Sequence, residues 1–251
     1  MTQAIHNTRS VNKIPSNANF HNNLFAERSQ AFRLAIANAR PVMMDDYSRP
    51  SKTRIAHQIW KQSVSVIGSI ADNYFLERGI TYDPEAMGMI KFNPSVLHEP
   101  SDEKFPAIIA PVHDRHGVFV GIHKTYLSRN GDGRAPVAGN SCRMLGDCHA
   151  AHIRLSTSSS RRLVLTESLE TALAIRQACP GLQVWAAMSP FNMRSPVPSA
   201  IREIILCPDA NSQNMMANAG LVKAAMREHL GRGLSVSLAP CLPGKNYSEI
   251  L

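Results

Sequence analysis

Four short apolar runs, separated by helical stretches, constrain this chain more than any other feature of its sequence. They are Arg162–Thr166 (RLVLT), Gln183–Met188 (QVWAAM), Glu203–Cys207 (EIILC) and Leu234–Ala239 (LSVSLA). Short runs this apolar suit strands covered on both faces. Between the runs lie helical stretches over Ser168–Ala178 and Asn214–Leu230, the latter with Met215, Ala219, Val222, Met226 and Leu230 on one stripe. Strands alternating with helices predict a parallel sheet with helices on both faces.

The preceding residues have a different texture. Ile55–Gln62 and Val64–Gly79 read as two helices, the second ending at Gly79. Two β-runs flank Asp114-Arg115-His116-Gly117, which reads as a hairpin turn. Ser128–Asn140 is a glycine-containing loop, and the polar run at Ser156–Ser160 reads as a hinge. The predicted class is α/β. A C-terminal parallel sheet domain over 159–251 is preceded by a smaller α+β subdomain over 52–158, and residues 1–51 form a basic, largely flexible arm with a short helix at Leu24–Ala39.

Charge locates the basic excess. The 251 residues carry a formal charge of +8, of which residues 1–55 supply +5, residues 56–160 nothing and residues 161–251 +3. An Asn-, Ser- and Arg-rich basic arm suits contact with nucleic-acid phosphates, and equally a solubilising tail. No apolar run reaches the ~18 residues of a membrane span. The residues after the start lack the apolar segment of a secretory signal, and the five cysteines are an odd number without a C-x-x-C pair. These features predict a reduced, cytoplasmic protein away from the membrane. Cys142, Cys148, His149 and His152 cluster in sequence at spacings that match no standard zinc template, so plain loop residues are the stronger reading.

Ligands of an open parallel sheet sit beyond the carboxyl ends of its strands. Glu167 and Glu170 follow the first run. Asp209 and Asn211 follow EIILC. Lys245, Asn246 and Glu249 follow LSVSLAP. Singly, Glu167 is a helix-opening carboxylate, and Asp209 and Asn211 are turn formers. Together they place oxygen ligands on one rim, in a number that suits Mg²⁺.

These residues resemble the Toprim domain, the catalytic fold shared by bacterial-type primases, topoisomerases and some nucleases. Residues 160–251 carry the likeness. The segments 70–80 (IADNYFLERGI), 105–127 (FPAIIAPVHDRHGVFVGIHKTYL) and 145–155 (LGDCHAAHIRL) extend it toward the primase-like Toprim proteins of plasmids, phages and integrative elements. In LVLTESLETALAI, Glu167 matches the family's general acid/base and metal neighbour, Ser168 replaces its glycine, and Glu170 matches a second acid. In CPDANSQNMMANA, Asp209 matches the first aspartate of Asp-x-Asp, Asn211 stands for the second, and Asn214 stands for the glycine. In PGKNYSEIL, Lys245 is retained, Asn246 stands for aspartate and Glu249 for the later acid.

The resemblance implies a primase-like protein of mobile-element replication that acts on single-stranded DNA or RNA, with catalytic Glu167 and Asp209. Mg²⁺, or Mn²⁺, would be held weakly by Glu167, Asp209 and Asn211, because two amides replace two charges. Lys245, Lys124, His123 and Tyr126 are the expected nucleic-acid contacts, while Arg115 reads better as a solvent-exposed turn residue. Tyr126 is a better stacking residue than Trp185, which falls inside a predicted strand; Trp60, Tyr74 and Phe119 are further aromatic candidates. A replicative helicase on a separate chain is the expected partner. The alternative is a catalytically degenerate Toprim protein that binds nucleic acid or a replication partner. A small nuclease is a third class, whereas a topoisomerase would need a nucleophilic tyrosine in another domain.

Overall fold

Ser51 opens the first helix: its hydroxyl accepts the N–H of Arg54 and caps α1 (Lys52–Gln62). The computed structural model describes residues 51–81, 83–157, 159–209 and 215–239. The expected arm with its Leu24–Ala39 helix, and Asn211, Asn214, Lys245, Asn246 and Glu249, lie outside the described residues.

The helix expected over Val64–Gly79 is shorter. Val64 instead makes two backbone hydrogen bonds of 2.8 Å to Phe92. The helix α2 (Ile70–Leu76) starts only after Gly68, at φ +75°, and the cap Ser69, whose hydroxyl accepts the N–H of Ala71. A left-handed residue followed by a serine cap is a helix start, and it overrides the apolar periodicity upstream. Gly79 follows the helix at φ +68°. The short α3 (Pro84–Gly88) is capped by Asp83 and has proline in its first turn.

Four strands then form an antiparallel meander: β1 (Lys91–His98), β2 (Glu103–His113), β3 (Phe119–Tyr126) and β4 (Cys142–Gly146). The hairpin between β2 and β3 turns on Asp114, whose Oδ1 accepts the N–H groups of His116 and Val118, both at 2.9 Å. Gly117 supplies the positive φ of that turn.

The second sheet has the order β5-β7-β6-β8-β9, with β5 (Ile153–Arg154), β6 (Arg162–Thr166), β7 (Gln183–Ala186), β8 (Glu203–Cys207) and β9 (Ser235–Leu238). Strands β6 to β9 are parallel, and β5 pairs antiparallel with β7. Helix α4 (Leu169–Ala178) joins β6 to β7, and α5 (Met215–Gly231) joins β8 to β9. Successive residues of the strands serve opposite faces. Val164, Val184 and Cys207 join a core that includes Leu169 and Leu173 of α4, Phe75 of α2 and Ile108 of β2. Leu163, Leu165, Trp185 and Leu206 join the other core, with Ala225 of α5. The first core is therefore shared by both sheets. The outer face of the meander packs against α1 through Ala56, Ile109, Ile122 and Tyr126. This is the expected α/β class, with an α+β portion before it; β6, β7 and β8 are covered on both faces, whereas the edge strand β9 is largely exposed. Among the described residues no helix is long and apolar enough to cross a membrane.

Candidate active site

Strands β6 and β8 are parallel neighbours in register, with Thr166 opposite Cys207, so the residues that follow them emerge together. Glu167 follows β6, and its N–H donates to the carbonyl of Cys207 at 3.2 Å. Asp209 follows β8, and its N–H donates to Glu167 Oε2 at 3.2 Å. Ser168 caps α4 by accepting the N–H of Thr171 at 3.2 Å and donates its hydroxyl hydrogen to Thr171 Oγ1 at 3.0 Å. Thr171 in turn donates to Asp209 Oδ1 at 2.6 Å. The helix start thus holds the aspartate of the neighbouring strand.

The electrostatics follow from this crowding. Burial, and then the charge of Asp209, push the Glu167 carboxyl up to about 7, against the lowering effect of the Asp209 N–H. Burial and the charge of Glu170 raise Asp209, while Thr171, Ser168 and the Arg134 charge oppose them. A carboxyl that titrates near neutrality beside a second, hydrogen-bonded carboxylate can hold or release a proton under working conditions. Two carboxylates on one rim are also as many as Mg²⁺ requires when it keeps most of its waters.

Glu170 lies one turn further along α4 but is not on the open rim. It is buried, accepts the hydroxyl hydrogen of Tyr74 at 2.8 Å and pairs with Arg134 Nη2 at 2.8 Å. Burial opposes its charge, but Arg134 and Tyr74 outweigh that and hold the carboxyl below its usual range. Arg134 also donates through Nε to the Tyr74 hydroxyl at 3.3 Å, and its side chain remains 43% exposed. Arg134 was missed by sequence reasoning because a glycine-containing loop fixes no register. Thr171 had a signal: it stands four residues after Glu167, one turn along the helix that Ser168 caps.

Three expected nucleic-acid contacts are placed differently. Lys124 is 1% exposed and pairs with Glu99 Oε1 at 2.7 Å. Tyr126 is fully buried and donates to the Leu97 carbonyl at 2.6 Å. His123 is buried, and desolvation lowers its pKa to about 4, so it is neutral at pH 7. None of these side chains is available to a phosphate or a base, because helix α1 covers one face of the hairpin and the shared core covers the other. Trp185 and Tyr74 are likewise core residues, as the strand position of Trp185 implied. Trp60 and Phe119 are partly buried against the meander.

The cysteine–histidine cluster is dispersed. Cys148 is buried with its thiol near the Leu145 carbonyl, Cys142 lies near Thr125, His149 is beside Phe191 and His152 packs on Trp185. Among the described residues no group of three or more His, Cys, Asp or Glu is placed to hold a metal ion.

The family model of a domain of unknown function (DUF7146) matches residues 50–155, the helices and meander that precede the carboxylate rim. Comparison with curated proteins gives no match. Among solved structures, a DNA primase domain from Pseudomonas aeruginosa is similar with a TM-score of 0.54 at 12% identity, over 80% of this chain and 74% of that one. The primase fragment of the bacteriophage T7 primase-helicase protein aligns with a TM-score of 0.45 at 15% identity, over 75% of this chain and 67% of that one. The chain is therefore similar in fold to a DNA primase domain.

Proposed function

We propose that the chain is a Toprim-type, primase-like protein that acts on single-stranded DNA in the replication of a mobile element, by a weakened Mg²⁺-dependent phosphoryl transfer. The observation that carries this reading is the Glu167–Asp209 pair at the carboxyl ends of adjacent parallel strands. The primase-like fold supports it. A divalent cation held by these carboxylates would offset negative charge on a reacting phosphate. The pair fits such an ion: burial and then the neighbouring charge of Asp209 raise the pKa of Glu167, and no cationic side chain forms an ion pair with either carboxylate among the described residues. Glu167, with a carboxyl near neutrality, takes the proton of the attacking hydroxyl. Asp209 is kept in place by Thr171. Arg134, paired with Glu170 but 43% exposed, would offer its remaining N–H groups to a phosphate oxygen.

The placement of Glu170 favours a second reading. Its carboxylate is occupied by Arg134 and Tyr74, so it adds no ligand to the rim, and Asn211 and Asn246 supply amides where the resemblance implies acids. In that reading the chain binds nucleic acid, or a helicase on a separate chain, without catalysis.

Primer synthesis on single-stranded DNA separates the two. An active parent that loses synthesis in Glu167→Ala and Asp209→Ala supports the enzyme. A parent that is inert with Mg²⁺ and with Mn²⁺, shows no metal heat by calorimetry and gains synthesis on Asn211→Asp with Asn246→Asp supports the degenerate reading.

A further inference from the structure

The strands that carry carboxylates at one end carry arginines at the other. Arg161 and Arg162 stand at the start of β6, Arg202 immediately before β8 and Arg232 three residues before β9. Backbone hydrogen bonds tie these entrances together: the Arg202 N–H donates to the Arg161 carbonyl at 2.7 Å, and the Ser235 N–H to the Arg202 carbonyl at 2.9 Å. The side chains therefore project from a rigid edge.

Two clefts open along that edge. One, of about 680 Å³, is lined by Arg115 and His116 of the β2–β3 turn, by Arg202 and Arg232, and by an apolar wall that includes Val197 and Leu234. The other, of about 670 Å³, is lined by Arg161, Arg162, Arg202 and Glu203. Arg202 belongs to both, so the clefts adjoin. No carboxylate lines the first. In the second, Glu203 is held by Arg162 Nε at 2.8 Å, and outside both Glu228 engages Arg232 at 3.1 Å. Arg115, Arg161 and Arg202 are exposed and make no ion pair among the described residues. Arg202 Nη1 donates to the Ser199 and Ile201 carbonyls and Arg115 Nε to His116 Nε2, contacts that orient these groups without cancelling their charge. Guanidinium groups without a carboxylate partner around adjoining clefts concentrate positive potential there, which an anion relieves.

We propose that the two clefts form a track for the phosphate backbone of single-stranded nucleic acid, at the end of the parallel sheet opposite Glu167 and Asp209. This rests on the reading of the chain as a nucleic-acid protein and adds a surface to it. An occupant that reaches both clefts past Arg202 must offer successive phosphates, as a strand does and a single phosphate does not. The apolar wall gives a sugar or base edge a dry contact, and Arg115 and Arg161 grip from either side of Arg202. The five-residue length of β6 sets the track roughly 15 Å from the carboxylates, so it holds the strand away from the reacting bond.

The test measures binding of a labelled oligo-dT 20-mer to the full chain by fluorescence anisotropy across a salt series. The triple variant Arg115→Gln, Arg161→Gln, Arg202→Gln is expected to bind at least tenfold more weakly, with the slope of log K against log salt flattened by about 2. Lys104→Gln, which removes one charge from the exposed start of β2, is expected to bind as the parent does. Ser199→Glu, which puts a carboxylate in the first cleft and leaves every arginine in place, is expected to weaken binding as well, and serves if the triple variant does not fold. Oligonucleotide binding that survives both the triple variant and Ser199→Glu overturns the track and leaves the nucleic-acid reading standing. A parent that binds no oligonucleotide overturns both. ATP binding that the triple variant abolishes, with oligonucleotide binding unchanged, overturns the track in favour of a mononucleotide site.

Discussion

Tyr74 donates its hydroxyl hydrogen to Glu170 Oε1 at 2.8 Å, joining α2 to α4 across 96 residues of sequence. Arg134 closes the triangle from the loop after β3. The three groups satisfy one another beside the candidate site, and the charges of Glu170 and Arg134 act on Asp209.

Glu170→Ala removes the common acceptor. The expected loss is about 3 kcal/mol, the low end for breaking a buried pair, because Arg134 still reaches solvent. Since Glu170 titrates below its usual range, this contribution is present at neutral pH and fades as pH falls through the lowered value. Urea unfolding at pH 7 reads the loss, and a midpoint equal to that of the parent would contradict the network.

Glu167 has the opposite sign. Its carboxyl titrates at about 7 in the native state against an ordinary 4.5, so between these values the native protein holds a proton that the unfolded chain has released. In metal-free solution, stability should fall as pH rises from about 4.5 to about 7. Glu167→Gln should flatten that slope, leaving the part that the likewise raised Asp209 contributes, and raise stability at pH 8 by on the order of 2 kcal/mol. Unfolding midpoints at pH 5, 6, 7 and 8 with chelator present give the slope; equal slopes in parent and variant would exclude a raised Glu167.

Gly121 and Gly146 face each other across β3 and β4. A Cβ at Gly121 would press on the Leu145 carbonyl and lie 2.6 Å from Cys148 Sγ, and Gly146 has φ +116° with its Cβ direction aimed at the Val120 carbonyl. Gly121→Ala is expected to destabilise by about 2 kcal/mol and lower the melting midpoint by roughly 5 °C, because backbone rather than a flexible side chain must give way. Calorimetry checks this, and an unchanged midpoint would show that the strands part freely.

Lys124 separates a core role from a phosphate contact. Glu99→Gln leaves its buried ammonium without its partner and should cost about 2 kcal/mol, whereas Lys124→Met should be close to neutral in stability. Neither change should alter oligonucleotide affinity. A Lys124→Met variant that folds and binds the 20-mer tenfold more weakly would return Lys124 to the surface.

The α/β class and the Glu167–Asp209 pairing were legible because each depends on short-range rules. A five-residue apolar run flanked by helices has few alternatives to a buried parallel strand, and a residue just after such a strand must emerge at the carboxyl rim. The extent of α2 was less legible, since Gly68 and Ser69 start the helix after the apolar residues Val64, Val66 and Ile67 had already suggested it.

Sequence alone could therefore determine that acids follow β6 and β8 and that amides stand at Asn211 and Asn246. Tertiary structure decided which charges remain free. Lys124, His123 and Tyr126 sit in a hairpin that reads as half-exposed, yet α1, more than fifty residues upstream, covers one face and the second sheet covers the other. Glu170 reads as a second rim carboxylate until Tyr74 and Arg134 arrive from distant segments to neutralise it. Burial and ion pairing are properties of what packs against a residue, and those partners come from parts of the chain that local pattern does not connect.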